Sequence, residues 1–390
     1  MSEQNIQTNV KAEAVVTAPK KVHKQSVEWM LYDVLIALAP TVIYAILAYG
    51  VYAIRNIFLP AVTMLVAELV FVLIKNRKVL FSKDEKTKKG FFDVLTPTDI
   101  VSPLISGIIF GLMVSNRDTD PEGLIYFILI VSALFGIVFG KLCFGGLGKN
   151  IFNPAAVAFV FMLICFSSKF SGVYHYNAWG LSFLGNAKFA TDSTPLAGGF
   201  SASLYTFLYT LDNVQALFFG QINGGIGESC KIPLLIGMIY LLIRRDIDWK
   251  VIVSFALTFL AASLIAGLFF MSHNVNPGVY MLYELLSGGV LFGMAYMISE
   301  PVTMPLTSPS RVMYGIVIAL IVVFIRTFAS APEGMAYAIL MGNALGCFID
   351  YYKWSQTKFT WKSWVAIAAI AVLGLGIFAW CMNGFNYGGN

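Results

Sequence analysis

The sequence has few charged residues for its length. They make up 12% of the 390 residues, whereas hydrophobic residues make up 58%, and the mean hydropathy is +0.76. A soluble domain is about one quarter charged, so this composition predicts that the chain is folded in a lipid bilayer. The net charge of +5 therefore bears on membrane topology, and we expect no nucleic-acid partner.

Histidines and paired cysteines are also scarce. The three histidines lie far apart, and the five cysteines form no C-x-x-C pair. These patterns disfavour haem, iron–sulfur and zinc motifs, and we predict neither a metal site nor a complete active site within this chain. Residues 1–29 are polar and lack the apolar stretch of a signal peptide, so we expect them to form a cytoplasmic N-terminus.

Eleven apolar segments are typical of membrane helices. They lie at 30–53, 57–74, 99–115, 123–142, 153–167, 231–243, 251–271, 281–298, 312–328, 334–350 and 363–382. We therefore predict an all-α integral membrane protein with 10–11 transmembrane helices. Its membrane domain would be 30–350, and 351–390 would hold a linker and an additional helix. A further apolar piece, 203–220, contains several polar residues and is expected to lie on the surface or to re-enter the membrane.

The distribution of Lys and Arg predicts the orientation of these helices. With the N-terminus in the cytoplasm, 20 of the 26 Lys and Arg residues fall on the cytoplasmic side. Residues 168–230 then lie on the extracytoplasmic side. Five helices precede this segment and five follow it in the opposite sense, which predicts an inverted five-plus-five repeat.

Three stretches are rich in glycine or proline. In GGLGKNIFNP, 145–154, Asn153 and Pro154 are suited to the cap and the first position of a helix, so the stretch is either a turn or a ligand contact. SEPVTMPLTSPS, 299–310, and LTPTDIVSP, 95–103, resemble the broken helix entries that form ion and cofactor sites in transporters. Two plain loops are the alternative.

Three carboxylates are candidates for an ion pathway. Glu68 lies well inside the apolar run AVTMLVAELVFVLI, and Asp99 and Glu300 lie in the two broken entries. A charge at the centre of a bilayer costs about 2.5–3.5 kcal/mol on insertion scales, which makes Glu68 a functional candidate. A protonated or paired structural carboxylate is the alternative interpretation.

Several of these motifs resemble one known family. The stretches GGLGKNIFNPAAVAFV, SEPVTMPLTSPSR and IRTFASAPEGMAYAILMGNALGCFIDYY are similar to those of RnfD, the D subunit of the Rnf complex, which is related to NqrB of the sodium-pumping NADH:quinone oxidoreductase. The resemblance extends over about 34–352. It implies a membrane subunit of an ion-translocating ferredoxin:NAD⁺ oxidoreductase in the cell membrane.

The resemblance also implies a cofactor. These subunits carry FMN joined by a phosphoester to the threonine of a Ser/Thr-Gly-Ala-Thr motif, and Thr194 takes that position in the stretch TDSTPLAGGF. Asp192 and Ser193 stand where the family has Gly and Ala, and Lys188 stands where a leading Asp is usual. Thr194 is thus expected to bind FMN on the extracytoplasmic side, and a second, non-covalent flavin such as riboflavin is compatible with this sequence.

Partners follow from the same resemblance. They would be the other proteins of the Rnf complex, namely the membrane proteins RnfA and RnfE, the flavoprotein RnfG and the soluble proteins RnfB and RnfC, together with a flavin transferase and membrane lipid. The alternative function is a secondary transporter or channel without a redox role, which explains the helix pattern and Glu68 equally well but not the long motifs.

Overall fold

The computed structural model describes residues 26–80, 90–115, 121–166, 179–182, 210–221, 225–273, 275–329, 334–351 and 358–384. Within this part of the chain, the helices of seven or more residues are α1 (Val27–Tyr49), α2 (Val51–Lys75), α3 (Pro97–Met113), α4 (Glu122–Gly140), α5 (Pro154–Phe166), α6 (Leu211–Phe219), α7 (Lys231–Arg244), α8 (Trp249–Phe269), α9 (Pro277–Leu286), α10 (Val290–Tyr296), α11 (Ser308–Phe328), α12 (Gly334–Tyr351) and α13 (Trp361–Gly384).

The helices confirm an all-α integral membrane protein. Six of those described, α1, α2, α4, α8, α11 and α13, are long and apolar enough to cross a membrane, and α9 with α10 forms a bent seventh. Helices α3 and α5 are shorter apolar helices. Each of the eleven predicted spans coincides with a helix or with the bent pair.

The predicted span 281–298 is wrong as a single helix. The axes of α9 and α10 differ by 52°, and the chain between them contains Gly288 at a φ of 56°. Glycine adopts this left-handed conformation without the steric cost of a side chain. Arg326 replaces lost helical hydrogen bonds, because its Nη1 donates to the carbonyl of Glu284 (2.8 Å) and its Nη2 donates to that of Ser287 (3.1 Å). These two freed carbonyls are thereby satisfied, as a break within a membrane helix requires.

Helices α2 and α3 pack closely because two glycines on α3 face α2. Gly107 lies against the backbone of Pro60 and Ala61, and Gly111 lies against the backbone of Asn56. A side chain at either glycine would collide with that backbone. Small residues four apart allow this approach between membrane helices, where lipid supplies little hydrophobic driving force.

The two halves of the chain pack in the same order. In the first half α2 contacts α3 and α4, and α4 contacts α5. In the second half α8 contacts α9 and α11, and α11 contacts α12. The halves meet where α1 packs against α7 and α5 packs against α12. This order agrees with the predicted repeat, whose inverted relation stays a prediction.

Two further segments were predicted outside the spanning core. In 203–220 the described part forms α6, whose nine residues reach about 13 Å, too short to cross a bilayer. The additional C-terminal helix is α13, which packs on α11 through Phe378 between Phe324 and Phe328. Gly374 brings α13 against Leu320 of α11.

Candidate functional site

A buried ion pair joins α2 to the end of α4. The Lys141 Nζ lies 2.9 Å from the Glu68 Oε2 and donates to the Ser102 Oγ on α3 at 3.0 Å. The side chains of Lys141 and Glu68 are 1% and 2% exposed. Lys141 also follows the last residue of α4, where the helix dipole favours a cation. Three helices of the first half are thus tied together by one ammonium group.

Asp99 has a capping role. Its Oδ2 accepts from the backbone N–H of Thr96 (3.0 Å) and from the Thr96 hydroxyl (2.6 Å), so the two residues form a capping box. Helix α3 then continues through Pro103. The predicted interruption of 95–103 is therefore wrong beyond Thr96, because the capping box starts the helix and α3 runs unbroken past the second proline.

Glu300 lies in the non-helical segment between α10 and α11, where the sequence predicted a broken entry. Its Oε2 accepts from the Asn153 Nδ2 (2.9 Å) and from the Thr303 hydroxyl (3.2 Å). The Asn153 Oδ1 accepts from the N–H groups of Ala155 (3.0 Å) and Ala156 (3.2 Å), which confirms that Asn153 caps α5. One side chain therefore caps a helix of the first half and holds a carboxylate of the second half.

The three predicted carboxylates are all within electrostatic reach of Lys141. The Lys141 ammonium interacts electrostatically with Glu68, Asp99 and Glu300. Glu68 is its direct partner, whereas Asp99 and Glu300 are held by their own hydrogen bonds. We call these three carboxylates and Lys141 the carboxylate cluster; it contains one buried ion pair, and its Glu300 is bonded to Asn153 of the first half.

A cavity of about 210 Å³ lies beside this cluster, between α1, α3 and α10. Its walls are mostly apolar, and its polar lining residues are Ser102, Ser106, Asn153, Asp246, Ser299 and Glu300. The Ser299 hydroxyl is buried and has no hydrogen-bond partner among the described residues. An apolar lining with a few polar groups is the usual chemistry of a small-molecule site, and the volume is below the roughly 300–1,000 Å³ of pockets that enclose a whole drug-sized ligand.

The predicted extracytoplasmic segment contacts the far end of α1. The cavity is lined by the first turns of α1, including Val27 and Val34. The Trp179 indole donates to the carbonyl of Ile46 (2.8 Å), and Tyr44 donates to that of Gly220 (3.4 Å). At 1.5 Å per residue, these contacts lie roughly 20 Å along α1 from the cavity.

The flavin site predicted from the sequence lies in 183–200. Thr194, together with Lys188, Asp192 and Ser193, lies outside the described residues.

Comparison with known proteins gives the family. The model of the NQR2, RnfD, RnfE family matches residues 14–358. The chain belongs to this family. The matched residues include the carboxylate cluster, the residues that line the cavity, and 183–200. The match ends before α13.

The relatives carry the names of two kinds of complex. The D subunit of the ion-translocating oxidoreductase complex of Pectobacterium atrosepticum is 25% identical over 363 residues, covering 87% of this chain and 96% of the relative. The D subunit of the proton-translocating ferredoxin:NAD(+) oxidoreductase complex of Clostridium ljungdahlii is 24% identical, covering 90% and 97%. The B subunit of the Na(+)-translocating NADH-quinone reductase of Ectopseudomonas mendocina is 29% identical, covering 76% and 66%.

Lys141 was missed as a site residue because it was counted among the cytoplasmic loop cations. The sequence does mark this lysine. In VFGKLCFG it is flanked by apolar residues on both sides, which is not typical of a lysine in a polar loop. Asp33 and Asp246 were also missed. They are far apart in sequence, and no local pattern relates them.

Proposed function

We propose that this chain is the membrane subunit of an ion-translocating oxidoreductase complex of the Rnf type and carries FMN on Thr194. The observation that carries the proposal is the family match over 14–358, supported by relatives of nearly the same length. Threonine supplies the hydroxyl that a phosphoester needs. The flavin supplies electron transfer, and the protein holds it in place. The partners would be the other proteins of the complex, a flavin transferase and membrane lipid.

The test of FMN attachment uses co-expression with the flavin transferase. Denatured wild-type protein is expected to fluoresce as a flavin at its own mass in a gel, and Thr194→Val is expected to be dark. Thr191→Val and Ser193→Ala are matched controls from the same motif and should remain fluorescent. Full fluorescence of Thr194→Val would refute the attachment site, and a dark wild-type protein would refute covalent flavin.

We further propose that the cavity holds a second, non-covalent flavin. Its apolar walls suit the faces of a flat ring, and the buried, unpaired hydroxyl of Ser299 and the amide of Asn153 suit the polar edge of such a ring. Asn153 and Ser299 would orient the ring. Protein purified without denaturation should release free flavin on acid treatment, in addition to the covalent FMN.

The carboxylate cluster is proposed as part of the ion pathway for Na⁺ or H⁺. A cation that enters the cluster must compete with the Lys141 ammonium for Glu68, so ion entry and movement of Lys141 would be coupled. Asp99 and Glu300 would add negative charge nearby. The predicted orientation, with a cytoplasmic N-terminus and an extracytoplasmic Thr194, would place the cluster toward the cytoplasmic side and the covalent FMN toward the other.

Replacement of Glu68 tests this pathway. Glu68→Gln is expected to lower ion transport per electron in vesicles that contain the complex. The double variant Glu68→Gln, Lys141→Met removes both charges together and serves as a folded, uncharged reference. Unchanged coupling in both variants would exclude Glu68 from the pathway.

A further inference from the structure

A second set of charged groups adjoins the same cavity through Asp246, which lines it. Asp33 of α1 accepts from the Tyr240 hydroxyl at Oδ1 (2.8 Å). Its Oδ2 pairs with Arg244 through both Nε (2.9 Å) and Nη2 (2.9 Å). The Asp33 side chain is 4% exposed, whereas that of Arg244 is 45% exposed. Asp33 is therefore a buried carboxylate whose two oxygens both accept hydrogen bonds. Its partner Arg244 reaches the solvent.

Asp246 faces Asp33 from the loop between α7 and α8. It lines the cavity, is 4% exposed, and contacts the carboxyl group of Asp33. Neither of its oxygens accepts a hydrogen bond from any donor in the described part of the chain. A buried carboxylate without a donor is costly, whereas a protonated carboxyl can donate to its neighbour.

The backbone directs Asp246 into the interior. Arg245 adopts a φ of 65°, and it is the only non-glycine residue among those described with a positive φ. This left-handed residue ends α7, and the N–H of Asp246 then donates to the carbonyl of Leu241 (3.1 Å). Arg245 is exposed and Asp246 is buried. Left-handed backbone costs about 1–2 kcal/mol for such a residue, and strain of this kind is concentrated at functional sites.

The charges around Asp33 and Asp246 indicate that these two carboxyl groups hold one proton between them. The two carboxyl groups face each other. Among the described residues, Arg244 is the cation that interacts with both of them. Tyr240 donates to Asp33, and Glu300 lines the same cavity with its own donors. Burial, together with the carboxyl group of Asp33, raises the pKa of Asp246 to about 6. Asp246 thus exchanges its proton close to neutral pH.

We propose that Asp33 and Asp246 form a proton-holding pair that supplies one proton to the cavity for each electron added there. The proposal rests on the proposed function, in which the cavity holds a reducible ring. The O–H bond of Asp246 breaks, the proton passes to an acceptor in the cavity, and its charge balances that of the electron. Arg244 stabilises the two carboxylates that remain. A proton from solvent at the α7–α8 loop then re-forms the O–H bond.

Infrared spectroscopy of the purified complex tests whether the pair holds a proton. The protonated carboxyl gives a C=O band, which should disappear as the pH rises through about 6. Asp246→Asn has the shape of the protonated residue and should lack the band. Asp93→Asn is the matched control, because Asp93 is an exposed capping residue, and it should keep the band. An identical spectrum in wild type and Asp246→Asn would overturn the proposal.

Electrochemical reduction of the same samples tests proton delivery. Flavin absorbance and the carboxyl band are followed together, and the band should fall as the flavin is reduced at a pH below 6. In Asp246→Asn the flavin midpoint potential should lose the part of its pH dependence that is centred near pH 6. A flavin that is reduced while the band stays constant would overturn proton delivery. Absence of a non-covalent flavin would instead refute the cavity ligand, and with it proton delivery. The pH titration alone would then decide whether the pair holds a proton.

Discussion

The Lys141–Glu68 pair gives the strongest prediction about stability. Lys141→Met removes the ammonium that lies 2.9 Å from Glu68, and the Glu68 Oε2 has no other hydrogen-bond donor among the described residues. The buried carboxyl must then take up a proton. For a carboxyl with an ordinary pKa of about 4.3, this costs roughly 3.7 kcal/mol at pH 7, at about 1.4 kcal/mol per pH unit. The value lies within the range of about 3–5 kcal/mol found when one partner of a buried pair is removed.

The measurement is the free energy of unfolding in mixed micelles, followed by circular dichroism at several pH values. Lys141→Met should lose about 3–5 kcal/mol at pH 7, and the loss should shrink toward about 1 kcal/mol at pH 5 as protonation becomes easier. Lys149→Met is the control, since Lys149 lies exposed in the same turn and should change by less than about 0.5 kcal/mol.

A double variant completes this test. Glu68→Gln with Lys141→Met removes both charges and should recover most of the lost stability, because neutral replacement of a buried pair is often tolerated. Equal effects of Lys141→Met and Lys149→Met, or a loss that does not depend on pH, would show that the lost stability does not come from an unpaired Glu68 carboxylate.

Two other predictions concern the packing of the second half. Arg326→Met leaves the carbonyls at the α9–α10 break and the Glu284 carboxylate without their donor. The unfolding free energy should therefore fall by about 3–5 kcal/mol. An unchanged value would show that the break is satisfied by other groups. Gly237→Ala places a methyl group against the Tyr296 hydroxyl and should cost about 1–3 kcal/mol. Gly376→Ala on α13 meets no atom within 4 Å and should cost nothing, so equal losses in the two glycine variants would contradict the packing.

The sequence predicted those features that depend on local chemistry. Apolar runs located each long apolar helix of the described residues, because a bilayer requires long apolar segments with satisfied backbone hydrogen bonds. The Asn-Pro pair predicted the start of α5, because an asparagine cap and a proline at the first position act within one turn. Glu68 was recognised because an ionisable residue inside a membrane helix is costly unless paired.

The features that sequence reasoning missed depend on distant residues. The break between α9 and α10 is possible because Arg326, on another helix, donates to the freed carbonyls. Lys141 becomes a site residue only when α2 and α3 bring Glu68 and Ser102 to it. Asp246 meets Asp33 only through the contact between the two halves. No local periodicity carries such information.

Attachment of FMN to Thr194 is the main proposal for this chain. It is tested most directly by mass spectrometry of the tryptic peptide 189–231, taken from protein produced together with its flavin transferase. The peptide should be heavier by FMN less one water, and its fragment ions should place the addition on Thr194. An unmodified peptide, or an addition on Thr191 or Ser193, would contradict it.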